Sequence, residues 1–259
     1  ADLLGEYGTD AIRYWSASAR LGVDTTFDLA QLKIGRRLAI KVLNASRFVL
    51  GFDEVVGADG AVTQPLDRAM LIKLGGLIGR CTTAFDAYEH ASALEFAEQF
   101  FWQFCDDYLE LVKPRAYAAD QDAAAAGSAI TALRCALSVL LRLLAPVLPF
   151  VTEEVWSWWH EGSIHRASWP AVAELGIPAA DGIDGQLDAA AAAIGAVRKA
   201  KSEARLAQKS EVARLIARGS RRDLALLSEV IGDVRAAGHV AEVEFVEADA
   251  SQVEFTVIF

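Results

Sequence analysis

The sequence predicts a mainly α fold, an antiparallel helical bundle followed by a small α+β module. Hydrophobic residues make up 53% of the 259 residues, with Ala and Leu frequent and Pro rare, which favours packed helices. Apolar residues recur at helical spacing along most of the chain, whereas residues 241–248 and 252–259 alternate as strands. These two patterns place the helices first and the strands at the C-terminus.

Helical spacing begins near the N-terminus. Residues 9–20 predict a short helix in a segment too small to fold alone. A basic helix at 33–48 follows, and the Gly- and Asp-rich stretch 51–65 is expected to be a solvent-facing connection. A long helix is then predicted over about residues 66–89.

Local signals predict the remaining helices of the bundle. Ser92 and Glu95 have the spacing of a capping box at the head of an aromatic helix, which Pro114 is expected to close. Leu-rich spacing predicts a helix over 122–144, and VTEEVWSWWH makes a shorter one. Connections of modest length between these helices favour antiparallel neighbours.

A change of composition divides the chain. Residues 171–185 are rich in Ala, Gly, Pro and Asp and indicate a linker. A helix over 186–207, a strand at 212–217 and a helix capped at Ser220 are expected before the two C-terminal strands. The predicted parts are an N-terminal segment at 1–28, the bundle at 29–172, the linker at 173–185 and the α+β module at 186–259.

The basic helix carries the strongest functional signal. At about 100° per residue its polar side chains share one face and its apolar side chains the other. Lys and Arg neutralise phosphates, Asn reads base edges and Phe stacks on unpaired bases, so this face is suited to single-stranded RNA, although a solvated surface face has the same pattern. The candidate RNA-binding residues are Lys33, Arg36, Arg37, Lys41, Asn44, Arg47 and Phe48.

A second basic segment lies between residues 198 and 222, which contains nine Lys or Arg residues and only two Glu. Two separated cationic strips fit one polyanion that is contacted at two places, and two unrelated surface helices fit the same pattern. The candidate secondary contacts are Arg198, Lys199, Lys201 and Arg205.

Other features limit the function classes. The net charge of −10 and pI near 4.9 disfavour indiscriminate binding to polyanions, including DNA. The three Cys have no disulfide or zinc spacing, and no leader or membrane span is expected, so a cytoplasmic protein is predicted. The sequence contains no nucleotide-binding or hydrolase motif, which leaves catalytic residues, metal ligands and cofactors unassigned. Trp156, Trp158 and Trp159 have helical spacing, which favours a core role over base stacking.

Several long motifs in a fixed order carry a resemblance to a known family. These motifs are EYGTDAIRYWSAS, LGVDTTFD, KIGRRLAIKVLNASRFVL, FCDDYLELVKPRAY, LLRLLAPVLPFVTEEVW and GSIHRASWP. In this order they resemble the region of valyl-tRNA synthetases that follows the catalytic domain, and they cover essentially the whole chain. The isoleucyl and leucyl families share the plan and remain alternatives.

This resemblance implies the helical anticodon-binding domain of a class I synthetase, joined through residues 1–28 to a catalytic domain of the same polypeptide. It carries anticodon contacts by position to Arg37, Lys41, Asn44, Arg47 and Phe48, with a structural role in the bundle as the alternative for Asn44. The expected partner is valine tRNA and the expected state a monomer. ATP and Mg²⁺ would serve the parent enzyme, and this chain, which lacks the family's adenylate-binding motifs, is expected to be inactive alone. A helical scaffold that binds protein, or an enzyme in its own right, are the alternatives from other classes.

Overall fold

A computed structural model describes residues 2–20, 22–53, 60–177 and 185–259. Its helices in the N-terminal half of the chain are α1 (Asp2–Tyr7), α2 (Thr9–Ala17), α3 (Leu29–Leu50), α4 (Pro65–Asp86) and α5 (His90–Gln103). A π-helical turn (Phe104–Tyr108) is followed by α6 (Leu109–Ala116), α7 (Ala123–Leu144), α8 (Pro149–Trp156), α9 (Gln186–Glu203) and α10 (Arg221–Gly238). The strands are β1 (Val212–Gly219), β2 (Val240–Glu247) and β3 (Glu254–Ile258).

The structure confirms the predicted fold class, with helices through most of the chain and a small mixed sheet at its end. The basic helix, the Leu-rich helix and the three C-terminal strands lie where their patterns placed them. The solvent-facing connection and the linker fall partly on residues 54–59 and 178–184, which lie outside the described residues.

Two predicted helix boundaries are wrong. Helix α5 begins at His90, so Ser92 lies inside the helix and does not cap it. The chain reverses at Tyr88, whose φ of 61° ends the preceding helix before Ser92 is reached. Pro114 does not close its helix either, because α6 continues through it to Ala116.

The first of two compact units comprises residues 1–53, 73–103 and 133–176. Helix α2 packs closely on α3, where a side chain at Gly35 would lie only 2.7 Å from the Cβ atom of Tyr14. Asp10 of α2 accepts hydrogen bonds from the backbone N–H groups of Phe150 and Val151, at 3.1 and 2.8 Å. Backbone N–H groups in the first turn of a helix have no partner within that helix. By accepting from two of them, Asp10 links α2 to the start of α8.

The second unit comprises residues 54–72, 104–132 and 177–259. Its sheet has the order β2-β1-β3, with β1 parallel to β2 and antiparallel to β3. Helix α10 makes the crossover between the parallel strands β1 and β2, as parallel pairing requires. Helix α10 packs against both α9 and α6, so the sheet-bearing segment shares a core with part of the helical chain.

A buried ion network organises this second unit. Arg115 donates to both carboxylate oxygens of Asp67 at 2.8 Å and to those of Asp233 at 2.9 and 3.2 Å. Asp67 is fully buried and also accepts hydrogen bonds from Tyr108 at 2.8 Å and Ser128 at 2.6 Å. Because Asp233 belongs to α10, one guanidinium joins α4 and α6 to the sheet-bearing segment.

Helix α7 is long and apolar enough to cross a membrane by length and composition alone. Within its most apolar window 72% of it is buried inside the protein, as in the core helix of a globular fold.

Candidate nucleic-acid interface

Helix α3 presents the candidate residues. The Asp28 carboxylate accepts a hydrogen bond from the Ala30 N–H at 2.8 Å and starts the helix, and the apolar face of the helix is buried. The opposite face carries every predicted residue: Lys33, Arg36, Arg37, Asn44 and Arg47 are exposed, and Lys41 and Phe48 are half-buried. We call this face, defined by those seven residues, the basic strip.

Three cations of the basic strip lie over tryptophan rings. The Arg37 guanidinium and the Lys41 ammonium lie 4.9 and 5.7 Å from the ring centroid of Trp102. The Arg47 guanidinium lies 5.8 Å from that of Trp158, whose side chain is 37% exposed. Cation–π contacts at exposed sites contribute about 0.5–1 kcal/mol each, so they orient these cations without fixing them.

Each of the two indoles is held by a carboxylate four residues earlier in the chain. The Trp102 Nε1–H donates to Glu98 at 3.1 Å, and the Trp158 Nε1–H donates to Glu154 at 3.1 Å. Glu98 also accepts a hydrogen bond from the Tyr14 hydroxyl at 2.7 Å. Burial and this hydrogen bond raise the pKa of Tyr14 well above its usual range, so the phenol stays a donor.

The ends of the basic strip have further contacts. Arg36 donates to the carbonyl oxygen of Glu6 in α1. The ring of Phe48 contacts that of buried Phe52 edge-on, with 5.0 Å between centroids. The carbonyl oxygen of Phe52 in turn accepts from Arg134 at 2.6 Å. Phe48 is thereby backed by a fixed ring while its side chain stays partly accessible.

The second basic segment does not form the predicted strip. Lys201 is only 1% exposed, and its ammonium donates to the carbonyl oxygens of Gln208 at 2.7 Å and Gly238 at 2.8 Å. Its placement in a cationic surface strip is wrong, because the side chain closes the C-terminal end of α10, where carbonyl groups lack helical partners. Burial lowers the pKa of Lys201.

The other three residues of this segment have mixed surroundings. Arg198 donates to the Asp106 backbone carbonyl oxygen at 2.7 Å and lies 3.7 Å from the Asp107 carboxylate. Lys199 is exposed and lies 4.0 Å from Glu203. Arg205 is exposed but lies beyond the end of α9, in a left-handed conformation with φ of 56°.

The sequence prediction missed the aromatic part of the interface. Trp156 is buried as predicted, but Trp158 is exposed beside Arg47, and Trp102 was not singled out. Glu98 precedes Trp102, and Glu154 precedes Trp158, by four residues. This spacing indicates a carboxylate that can hold an indole ring. Which helices bring those indoles to α3 depends on tertiary packing.

Comparisons with known proteins identify the family of this chain. Residues 67–216 match the family model described as the anticodon-binding domain of tRNA ligase, a match that begins after α3. The chain belongs to this family of anticodon-binding domains of tRNA ligases. The chain is also 52% identical to a valine–tRNA ligase of Salinispora arenicola over 95% of its length, and 49% identical to that of Thermobifida fusca over 98%.

These relatives are much longer than this chain, which spans 31% and 29% of their lengths. Among solved structures, agnB2 LeuRS of Agrobacterium radiobacter K84, in a ternary complex with tRNA and LeuAMS, matches 97% of this chain and 30% of its own. The TM-score is 0.50 at 13% identity, so this likeness concerns the fold.

Proposed function

We propose that this chain is the tRNA-binding part of a valine–tRNA ligase and that it positions valine tRNA for aminoacylation by a catalytic domain of the same polypeptide. The observation that carries this proposal is the basic strip on α3, where exposed cations, Asn44 and Phe48 share one face in a chain of the anticodon-binding family. The identity of about 50% to valine–tRNA ligases favours the valyl enzyme over the isoleucyl and leucyl alternatives.

Each side chain has a distinct role in this proposal. Phe48 stacks on an unpaired anticodon base, since base–aromatic stacking contributes about 1–3 kcal/mol per base. Arg47, Arg37 and Lys41 bind phosphates or base edges, and Lys33 and Arg36 extend the positive field along the helix. Asn44 is exposed between them and reads a base edge.

The remaining parts of the proposal follow from the parent enzyme. ATP and Mg²⁺ would bind the catalytic domain, and the described residues hold no cluster of three His, Cys, Asp or Glu side chains suited to a metal ion. Residues 1–28 join the two domains, the protein acts as a monomer in the cytoplasm, and the linker at 173–185 leads to the C-terminal module. Of the second basic segment only the exposed Lys199 and Arg205 are retained as secondary contacts.

The test is fluorescence-anisotropy binding of labelled valine tRNA, beside the same tRNA with an altered anticodon, at low and moderate salt. We expect tighter binding to the unaltered tRNA and a steep loss of affinity as salt rises. Arg47→Ala and Phe48→Ala should each weaken binding about fivefold or more while the bundle stays folded by circular dichroism.

The control is Lys113→Ala, a partly exposed cation outside the basic strip that pairs with Glu110. Unchanged affinity in both α3 variants would remove the basic strip from the interface. Binding that ignores both the anticodon and the salt concentration would instead favour the protein-binding scaffold.

A further inference from the structure

A surface groove beside the basic strip has no role in the function proposed above. It has a volume of about 450 Å³, within the range of small-molecule pockets. Residues of α2, α5 and the segments next to them form it, and its lining includes Tyr14, Arg20, Glu95, Glu98, Gln99 and Trp102. The groove and the strip share Trp102, because Arg37 and Lys41 lie over the indole that forms part of the groove wall.

The groove combines a flat aromatic wall with a fixed hydrogen-bond acceptor. The Trp102 indole is held in one orientation by its hydrogen bond to Glu98, and Glu98 is fixed in turn by the Tyr14 hydroxyl. A carboxylate has about four acceptor sites, so two of them stay available after these two hydrogen bonds. Since Glu98 itself lines the groove, that acceptor capacity is within reach of a molecule lying against the indole.

We propose that this groove binds one unpaired nucleobase that carries an exocyclic amino group. The base stacks on Trp102 and its amino group donates to Glu98, while Arg37 and Lys41 bind the phosphates on either side of that nucleotide. This inference rests on the proposed function, because the RNA strand must already lie along the basic strip. It adds a base-selective site on α5 that is separate from the Phe48 end of α3.

The chemistry of Glu98 selects among bases. A carboxylate accepts from the amino group of cytosine or adenine, and such charge-assisted hydrogen bonds are stronger than neutral ones. Uracil presents a carbonyl oxygen where cytosine presents its amino group, and a carbonyl oxygen next to a carboxylate is repelled. Cytidine and uridine therefore form a matched pair of probes with equal charge and nearly equal size.

The geometry also favours a base within a strand over a free base. Stacking on one indole by itself gives only weak binding of a free base. The cations over the same indole add affinity only when phosphates accompany the base. For Arg37, exchange of the cation–π contact for a phosphate contact is favourable, because a cation–π contact at the surface is weak and a phosphate contact is charge-assisted.

The experiment measures binding of the 259-residue chain to a set of RNA hairpins. One hairpin has a loop of seven uridines, and each of the others has cytidine at a single loop position. We expect cytidine to tighten binding about tenfold at one position and to have little effect at the others. The Glu98→Gln variant should lose this preference, because the amide has the shape of the carboxylate but is neutral and offers both a donor and an acceptor.

Glu154→Gln is the matched control, since Glu154 also holds an indole one turn later but does not line the groove. It should keep the cytidine preference of the wild-type protein. Trp102→Leu should weaken binding of cytidine and uridine hairpins alike, because it removes the stacking surface.

The outcomes separate this inference from the proposed function. Equal binding of every hairpin by the wild-type chain would overturn the base-selective groove and leave the basic strip intact. A cytidine preference that survives Glu98→Gln would also overturn it. Absence of binding to any hairpin at low salt would overturn both the groove and RNA binding by the basic strip.

Discussion

Helices α3 and α9 both carry closely spaced basic residues, and their cations have different neighbours. On α3, Arg37, Lys41 and Arg47 lie over indole rings at the surface, where phosphates can reach them. Near the end of α9, Lys201 is buried against two carbonyl oxygens, and Arg198 is bound to the acidic residues of the π-helical turn. Similar charge in the sequence thus lies at the surface in one region and contributes to internal cohesion in the other.

The neighbours of a basic side chain decide whether its charge is available to a ligand. The face of an aromatic ring attracts a cation without accepting its hydrogen bonds fully, so this contact holds the cation only weakly. A cation whose donors are satisfied by buried carbonyl or carboxylate oxygens can leave them only at a large cost. Arg115, which pairs with the buried carboxylate of Asp67 and the largely buried one of Asp233, is such a cation.

The largest expected effect is that of Arg115→Met. We expect the free energy of unfolding to fall by about 3–5 kcal/mol, because fully buried Asp67 would keep its charge without its partner. Urea unfolding followed by circular dichroism measures this change, and Lys113→Met, nearby on α6, should change it by less than about 0.5 kcal/mol. Equal stability of the two variants would show that the buried network is not a structural element.

Lys201→Met should have the next largest effect. It leaves two carbonyl oxygens without their donor, so we expect a loss of about 2 kcal/mol in the free energy of unfolding. Its RNA affinity, measured where the variant is fully folded, should equal that of the wild type. A variant that is as stable as the wild type yet binds RNA more weakly would show that Lys201 contributes to RNA binding. The difference drawn between α3 and α9 would then be wrong.

On α3 the opposite result is expected. Arg37→Met and Lys41→Met should each weaken RNA binding about fivefold and change stability by less than about 1 kcal/mol. Each should also reduce the slope of log affinity against log salt concentration by about 0.7, the value for one phosphate contact on a single strand. Titrations at four or more salt concentrations measure this, and a slope that stays at the wild-type value would assign these cations a structural role.

The smallest effect concerns a surface ion pair. Arg142 donates to Glu174 at 2.6 Å, and this hydrogen bond holds the pKa of the Glu174 carboxyl below its usual range. Such a carboxyl adds stability above the pKa that it has in the unfolded chain, and this stability is lost as pH falls through its lowered pKa in the folded state. The Glu174 side chain is 40% exposed, so the pair is worth less than about 1 kcal/mol.

Glu174→Gln should therefore lower the free energy of unfolding slightly at pH 7 and not at all in acid that protonates the folded wild-type carboxyl. Urea unfolding at a series of pH values measures the difference between the two proteins. A loss as large as that of Arg115→Met would contradict the distinction between exposed and buried ion pairs.

Much of the fold was predictable because its signals are local. The apolar periodicity of α3 and α7, the Ser220 cap of α10 and the alternation of β2 and β3 each depend on neighbouring residues, and the structure confirms them. The wrong boundaries at Ser92 and Pro114 have a different origin. At Ser92 the turn at Tyr88 starts α5 early, and at Pro114 packing of α6 against α10 outweighs the local preference to end the helix.

Only the part of the candidate site that lies on α3 was predictable from the sequence. Helical spacing placed the seven residues of the basic strip on one face, since position along a helix fixes the direction of each side chain. The ring of Trp102 comes from α5, and that of Trp158 comes from the turn after α8. Both are far from α3 in sequence, so no local pattern could assign them to it. The RNA-binding roles of all these residues are predictions for the binding experiments described above.

The fold class, the position of the basic helix and the family of the chain could be inferred from the residue order, because periodicity and long ordered motifs are properties of that order. Packing between distant parts of the chain fixes which cations lie at the surface and which are buried. Lys41 and Lys201 are chemically identical, but one lies over a surface indole and the other against two carbonyl oxygens. The energy of a charge depends on the solvent and partners around it, and packing between distant helices supplies both.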